Sequence, residues 1–220
     1  MSLVGRPEWP VERLWLWRLG FPLVRWVATT LLPITAVGRE NLPRSGGYML
    51  VANHVSWQDP FWIEFALGVR IRYMTKTEIF RYPIVGWVIR AIGNFPVRRG
   101  ESDRQALETA LRVLEAGQPL GYFPEGTRNK AGRLRRAKPG VAFLARRSGK
   151  PLVPVAITGS AAAGIRIPPR ADMLVRVGRP FTLADLGPPG MTDQALADAI
   201  MRRVADLLPD EMKGQYAPVH

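Results

Sequence analysis

The stretch Asn53-His54-Val55-Ser56-Trp57-Gln58-Asp59-Pro60 brings an imidazole and a carboxylate within reach of one turn. The chain has two histidines, and the other, His220, is its last residue. Imidazole chemistry therefore rests on His54. A neutral imidazole is the usual general base near neutral pH. A carboxylate on its other ring nitrogen fixes the tautomer and stabilises the imidazolium that forms. The nucleophile need not come from the protein, because a substrate hydroxyl activated by His54 can serve. The plainer reading is that Asp59 opens the following helix and His54 is a core residue at a strand end.

A second set is Phe123-Pro-Glu125-Gly126-Thr127-Arg128, where another strand leaves the sheet. In open α/β sheets ligands bind at that edge. Gly126 lets a ligand approach the backbone, and Arg128 offers a planar fork for a phosphate. Glu125 can tie the loop down or orient a cation. Arg98 and Arg99 follow the strand end Phe95-Pro-Val97, and Lys76 follows a short strand at 71–74. If these basic groups converge on one edge, they predict a phosphate-bearing substrate. Singly, each reads as a surface charge.

The positive excess is general. The net charge is +13, and residues 126–171 hold no Asp or Glu. Such a block suits anionic lipid headgroups, an acidic carrier protein or the phosphates of coenzyme A, although Arg-rich composition alone accounts for part of it. With no cysteine, disulfides, thiol nucleophiles and Cys-based metal sites are excluded, and one interior histidine argues against a metal. Neither a Gly-x-Ser-x-Gly elbow nor a nucleotide-binding glycine loop is present.

These groups need a scaffold. Tyr48–Ala52 reads as a buried strand before His54, and Phe61–Leu67 as a helix opened by Pro60. Further strands are expected at 36–38, 71–74, 95–97, 120–123, 152–157 and 173–177. Pro154 marks the strand 152–157 as an edge or bulge. Helices are expected at 102–116 (Ser102 as N-cap), 139–148 and 192–208. The segment 83–92 is apolar nearly all round, so it is either buried or in contact with a membrane. Strands alternating with helices predict an α/β fold: a largely parallel mixed sheet flanked by helices. Residues 35–220 form that domain. Residues 1–34 read as an N-terminal helical hairpin, with helices at 10–19 and 22–32 hinged near Gly20-Phe21-Pro22. Trp9, Trp15, Trp17 and Trp26 lie there among Arg13, Arg18 and Arg25, a composition that suits the membrane interface. The alternative is a hairpin packed on the main domain. No run is long enough to span a bilayer, and no signal peptide is expected at the start.

The motifs, in order and spacing, resemble the glycerolipid acyltransferases, the family of 1-acylglycerol-3-phosphate acyltransferase. Asn53-His54-x-Ser56-x-x-Asp59 is similar to its first block and Gly93-Asn-Phe-Pro-Val-Arg98-Arg99 to its second. Phe123-Pro-Glu-Gly-Thr-Arg128 is similar to the third and Val153-Pro-Val-Ala-Ile157 to the fourth, while Lys76-x-Glu78 through Gly86 resembles a further segment. The resemblance covers about residues 35–180. It implies that His54 deprotonates an acceptor hydroxyl and Asp59 orients it. It implies that Lys76, Arg98 or Arg99, Glu125, Gly126, Thr127 and Arg128 bind glycerol phosphate. Attack falls directly on acyl-CoA or acyl carrier protein, which are co-substrates; no cofactor or metal is implied. The expected partners are a lysophospholipid acceptor, the acyl thioester donor, an anionic membrane surface and acyl carrier protein, without nucleic acid. The expected location is peripheral and monotopic, on the cytoplasmic face of the cell membrane, with 1–34 as the docking segment. Segment 83–92 is a candidate wall for the acyl chain. Lysophosphatidate leads as acceptor; glycerol 3-phosphate, a lyso-ornithine lipid or a glycosylated lipid would use the same chemistry. The rival of another class is a basic protein that only binds membranes or nucleic acid.

Overall fold

The computed structural model describes residues 16–31, 34–98, 103–129, 131–163, 172–188 and 190–218. The apolar run that precedes His54 becomes β2 (Met49–Ala52), buried along its whole length. Met49 and Val51 face one core and Leu50 and Ala52 the other. A strand covered on both faces reads as a continuous apolar run, as expected of a largely parallel sheet.

The other strands are β1 (Ile34–Val37), β3 (Arg72–Lys76), β4 (Phe95–Val97), β5 (Leu120–Tyr122), β6 (Leu152–Thr158) and β7 (Met173–Val177). They form one sheet in the order β1-β7-β6-β2-β5-β3-β4. Every pairing is parallel except β6 with β7. The helices are α1 (Phe21–Leu31), α2 (Asp59–Leu67), α3 (Pro83–Ala91), α4 (Arg104–Glu115), α5 (Gly140–Ser148), α6 (Ser160–Ala163) and α7 (Asp193–Ala205). α4, α5 and α7 bury Ala110, Val113, Leu144, Ile200 and Val204 against one face of the sheet. α1 and α2 cover the other with Ala28, Trp62, Ile63 and Leu67.

Three expectations change. β6 is an interior strand between β7 and β2, not an edge. Pro154 is accommodated where β7 ends: its carbonyl accepts the Gly178 N–H at 2.9 Å. Its ring lies where Gly178 has no side chain, since a Cβ there would come within 2.8 Å of Pro154 Cγ. α4 begins at Arg104, and its N-cap is Asp103, which accepts the Ala106 N–H at 3.1 Å; Ser102 lies outside the described residues. α2 starts one residue earlier than expected, so Pro60 is its second residue.

The N-terminal hairpin falls partly outside the described residues, which begin at Leu16. A π-helical turn at Leu16–Gly20 runs directly into α1. α1 is held to α2 by Arg25 Nε, which donates to the Phe65 carbonyl at 2.8 Å, and by the Phe21 and Phe65 rings, 5.8 Å apart. Leu19, Leu23, Val24 and Trp26 remain exposed. No described helix is long and apolar enough to cross a membrane.

Candidate active site

The site is built on the ends of β2 and β5, neighbours in the sheet. Beyond β2, Asn53 continues the pairing with its side chain. Its amide donates to the Ile157 carbonyl at 2.9 Å and accepts the Ile157 N–H at 2.8 Å. The main chain is thereby fixed one residue before His54.

His54 Nδ1 lies 2.9 Å from Asp59 Oδ2, with Asp59 fully buried and His54 only 5% exposed. The same oxygen accepts the N–H groups of Val55 and Ser56, each at 2.8 Å. Asp59 therefore holds the imidazole and the main chain of the turn before it. It does not cap α2, whose N-cap is Gln58 with no side-chain cap bond, so the plainer reading of Asp59 as a helix cap does not hold. Its other oxygen accepts a 2.6 Å bond from Ser160 Oγ at the start of α6. Ser160, also fully buried, was missed from sequence. Its one signal is that Gly159-Ser160 follows an apolar strand, and that says nothing about Asp59.

A row of rings supports the imidazole from behind. Gly121 in β5 has no side chain, and the Tyr73 ring occupies that space, where a Cβ would come within 2.0 Å of Cε1. Phe123 stacks on Tyr73 at 5.6 Å, and His54 stacks on Phe123 at 4.1 Å and 18°. With Nδ1 engaged by Asp59, Nε2 is the nitrogen available to a ligand.

Glu125 is almost fully buried, and both its oxygens hold main chain. Oε1 accepts the His54 N–H at 2.9 Å and Oε2 the Arg135 N–H at 3.1 Å. Burial pushes its carboxyl up to about 7, against the pull of those donors. Asn129 adds its own N–H to the His54 carbonyl at 2.8 Å. The loop after β5 thus clamps the His54 backbone on both sides, and Glu125 is the tie.

A cleft of about 400 Å³ opens beside His54. Of the expected site residues, Arg98 and Gly126 line it with His54. Thr127 and Arg128 follow Gly126 without lining the cleft, and Arg128 is exposed. Lys76 pairs with Glu78 at 2.9 Å on the surface and does not line the cleft, although its register partner Val97 does. Arg99 lies outside the described residues. Lys138, which sequence reading left in the general basic block, does line the cleft. Its N–H bonds to the Pro124 carbonyl at 2.8 Å, and its stem lies over Gly126, where a Cβ would come within 2.8 Å of Cδ. Gly126 has φ +70° and so takes the turn without strain. Met74, Val97, Ala106 and Leu107 give the cleft an apolar side. No residue of α3 contributes, so segment 83–92 is not the wall of this cleft. Among the described residues no group of His, Asp and Glu is arranged to hold a metal ion.

A buried imidazole and carboxylate, opening on a cleft with an apolar side, Lys138, and Arg98 with the Asp103 carboxylate 3.7 Å from its Nε, can take a proton from a hydroxyl on an amphipathic ligand. A family model described as Acyltransferase matches residues 33–158, more than half of the 220-residue chain. The chain belongs to the acyltransferase family. This family member is 34% identical over 141 residues to the chloroplastic 1-acyl-sn-glycerol-3-phosphate acyltransferase of Arabidopsis thaliana, a match covering 61% of the chain and 39% of that protein. It is 29% identical over 180 residues to the 1-acyl-sn-glycerol-3-phosphate acyltransferase of Bacillus subtilis strain 168, covering 79% of the chain and 87% of that protein. Its fold is that of the 1-acyl-sn-glycerophosphate acyltransferase PlsC from Thermotoga maritima: TM-score 0.69 at 22% identity, over 90% of this chain and 83% of that one. The chain thus spans about two-fifths of the Arabidopsis relative and most of the Bacillus one.

Proposed function

We propose that the protein transfers a fatty acyl group from acyl-CoA or acyl carrier protein to the sn-2 hydroxyl of lysophosphatidate, giving phosphatidate. The observation that carries this reading is the buried His54–Asp59 pair facing a cleft that also holds Arg98 and Lys138. The acceptor is supported by the Arabidopsis and Bacillus relatives, both 1-acyl-sn-glycerol-3-phosphate acyltransferases.

His54 Nε2 takes the proton of the acceptor hydroxyl, while Nδ1–H donates to Asp59 and the imidazolium is stabilised by that carboxylate. The acceptor oxygen attacks the thioester carbonyl and forms the new C–O bond. The tetrahedral intermediate collapses, the C–S bond breaks, and the departing sulfur receives the proton from Nε2. No acyl-enzyme forms, in keeping with a chain that has no cysteine. Arg98 and Lys138 hold the acceptor's phosphate, and Met74, Val97, Ala106 and Leu107 receive apolar chain. Glu125, with both oxygens on main chain, acts by holding His54 rather than by touching phosphate. By the resemblance of their motifs, Lys76, Arg99, Thr127 and Arg128 also serve the phosphate-bearing substrate. The enzyme works as a peripheral protein on the cytoplasmic face of the membrane, with the Trp- and Arg-rich N-terminal segment as its anchor.

The test is acyl transfer from labelled acyl-CoA, and in parallel from acyl carrier protein, to lysophosphatidate in vesicles. His54→Ala should lower turnover by ~100- to 10,000-fold with an unchanged circular dichroism spectrum. Turnover near wild type in the folded variant would reject His54 as the base. Absence of product from the wild type with either donor would reject the acceptor, and a panel of lysolipids would follow.

A further inference from the structure

We infer that α3 is a second lipid-contacting element, which lies in the headgroup region of an anionic leaflet and brings the cleft to the membrane surface. The inference stands on the outer face of α3 and not on the acyl-transfer chemistry.

α3 is seated by its small side. Gly86 lies against the Phe80 carbonyl, where a Cβ would come within 2.5 Å, and Ile89 and Ala91 are buried. The other side carries Ile84, 80% exposed, with Val85, Trp87 and Val88, and Tyr82 just before the helix is 65% exposed. These residues are adjacent at helical spacing, so they form one apolar face rather than scattered side chains. α4 shows what a solvated helix of the same protein looks like: its outer positions are Arg104, Gln105 and Glu108. A face of Ile, Val and Trp in that situation calls for a cover.

Charge selects the cover. Exposed Arg81 and Arg90 flank the face, and Arg90 is held with its guanidinium 5.0 Å from the centre of the Phe80 ring. No acidic residue occurs between Glu78 and Glu101. A second copy docked symmetrically would set these arginines against their own counterparts, with only Glu78 beside Arg81 to answer them, and that carboxylate already pairs with Lys76 at 2.9 Å. An anionic leaflet answers both features: Trp and Tyr suit the interface, and arginines pair with lipid phosphates.

Position gives the contact a use. α3 follows β3 and leads into β4, and those strands supply Met74 and Val97 to the cleft wall, with Arg98 just after β4. The crossovers from β2 to β3 and from β3 to β4 run the same way across the sheet, so the right-handed rule places α2 and α3 on one face. α1, with its own exposed apolar residues, packs on α2. Contact through α3 as well as α1 would fix the orientation of the cleft and not only its distance from the lipid.

The chain has no cysteine, so Ile84→Cys gives a unique site for an environment-sensitive fluorophore. Arg104→Cys on α4 is the control. The full chain is mixed with vesicles of equal parts phosphatidylcholine and phosphatidylglycerol. Emission from position 84 should shift to the blue and that from 104 should not, with a smaller shift on pure phosphatidylcholine. Ile84→Ser with Val85→Ser, Trp87→Ser and Val88→Ser should weaken co-sedimentation at least ~10-fold. That variant should keep its turnover on a short-chain, water-soluble lysophosphatidate, which separates loss of docking from loss of fold or of the proposed chemistry. An unshifted position 84 on vesicles that bind the protein would overturn the inference. A blue shift that instead grows with protein concentration in lipid-free buffer, alongside a doubled mass, would assign the face to a second copy and overturn it too.

Discussion

Ser160→Ala tests whether the Asp59 carboxylate must be held from both sides. The wild-type hydroxyl donates to Asp59 Oδ1 at 2.6 Å, and neither residue has any exposed surface. Alanine removes the donor and leaves one carboxylate oxygen without a partner where water has no ready access. A hydrogen bond to a charged group contributes about 1.5–3 kcal/mol net. Oδ2 keeps its three donors, so the ground-state position of Asp59 should survive. The loss is felt when the imidazolium forms and the whole carboxylate must stabilise it. If about 1.4–2.8 kcal/mol of the loss appears in the barrier, turnover falls ~10- to 100-fold. KM for lysophosphatidate should stay within about twofold, because Ser160 does not line the cleft. Ser160→Thr restores the donor and should recover much of the rate. The assay is steady-state acyl transfer alongside urea unfolding of each variant. Turnover within twofold of wild type in Ser160→Ala would show that the Oδ2 donors alone position the carboxylate. A loss of stability with unchanged turnover would confine Ser160 to the fold.

Two further outcomes come from the cleft and the loop. Lys138→Ala and Arg98→Ala should each raise KM for lysophosphatidate ~10-fold, by loss of a charge-assisted contact, and leave KM for a monoacylglycerol unchanged; equal effects on both acceptors would remove these residues from phosphate binding. Glu125 carries a pH dependence of folding. Burial raises its carboxyl from 4.5 to about 7, so the folded state holds that proton to higher pH than the unfolded state. Its contribution to stability is therefore greatest at acid pH, falls as pH rises from about 4.5 to about 7, and is level above that. Glu125→Gln should flatten this slope, worth up to about 3 kcal/mol across the window, on top of a constant offset from the lost acceptor at Arg135. Parallel stability curves for wild type and variant, by urea titration from pH 4.5 to 8, would refute the assignment.

What the sequence by itself determined is what is local. His54 and Asp59 are five residues apart across a single turn, so chain geometry limits how far apart they can sit. The strands before His54 and before Phe123, and the helices α4 and α7, announce themselves by apolar runs, periodicity and stops. The relation among the motifs gave the family, and the family match covers 33–158. Tertiary structure decided what depends on residues distant in the chain meeting at one place. Ser160 reaches Asp59 across 101 positions, and Glu125 reaches the His54 N–H across 71. Serine and glutamate are common residues, and nothing in their neighbours says which donor or acceptor they will find. Pro154 reads as an edge because a missing N–H is costly inside a sheet, yet β7 stops beside it and Gly178 leaves room for its ring. The same limit applies to charge. Lys76, Arg128 and Lys138 are alike in sequence, each after a strand or in a basic block. Only the turn at Gly126 and the bond from Lys138 to Pro124 lay one of them along the cleft, while Lys76 turns to Glu78 and Arg128 to solvent. Periodicity records which residues can be buried; the packing of Gly86 on Phe80 decides which face of α3 is left outside.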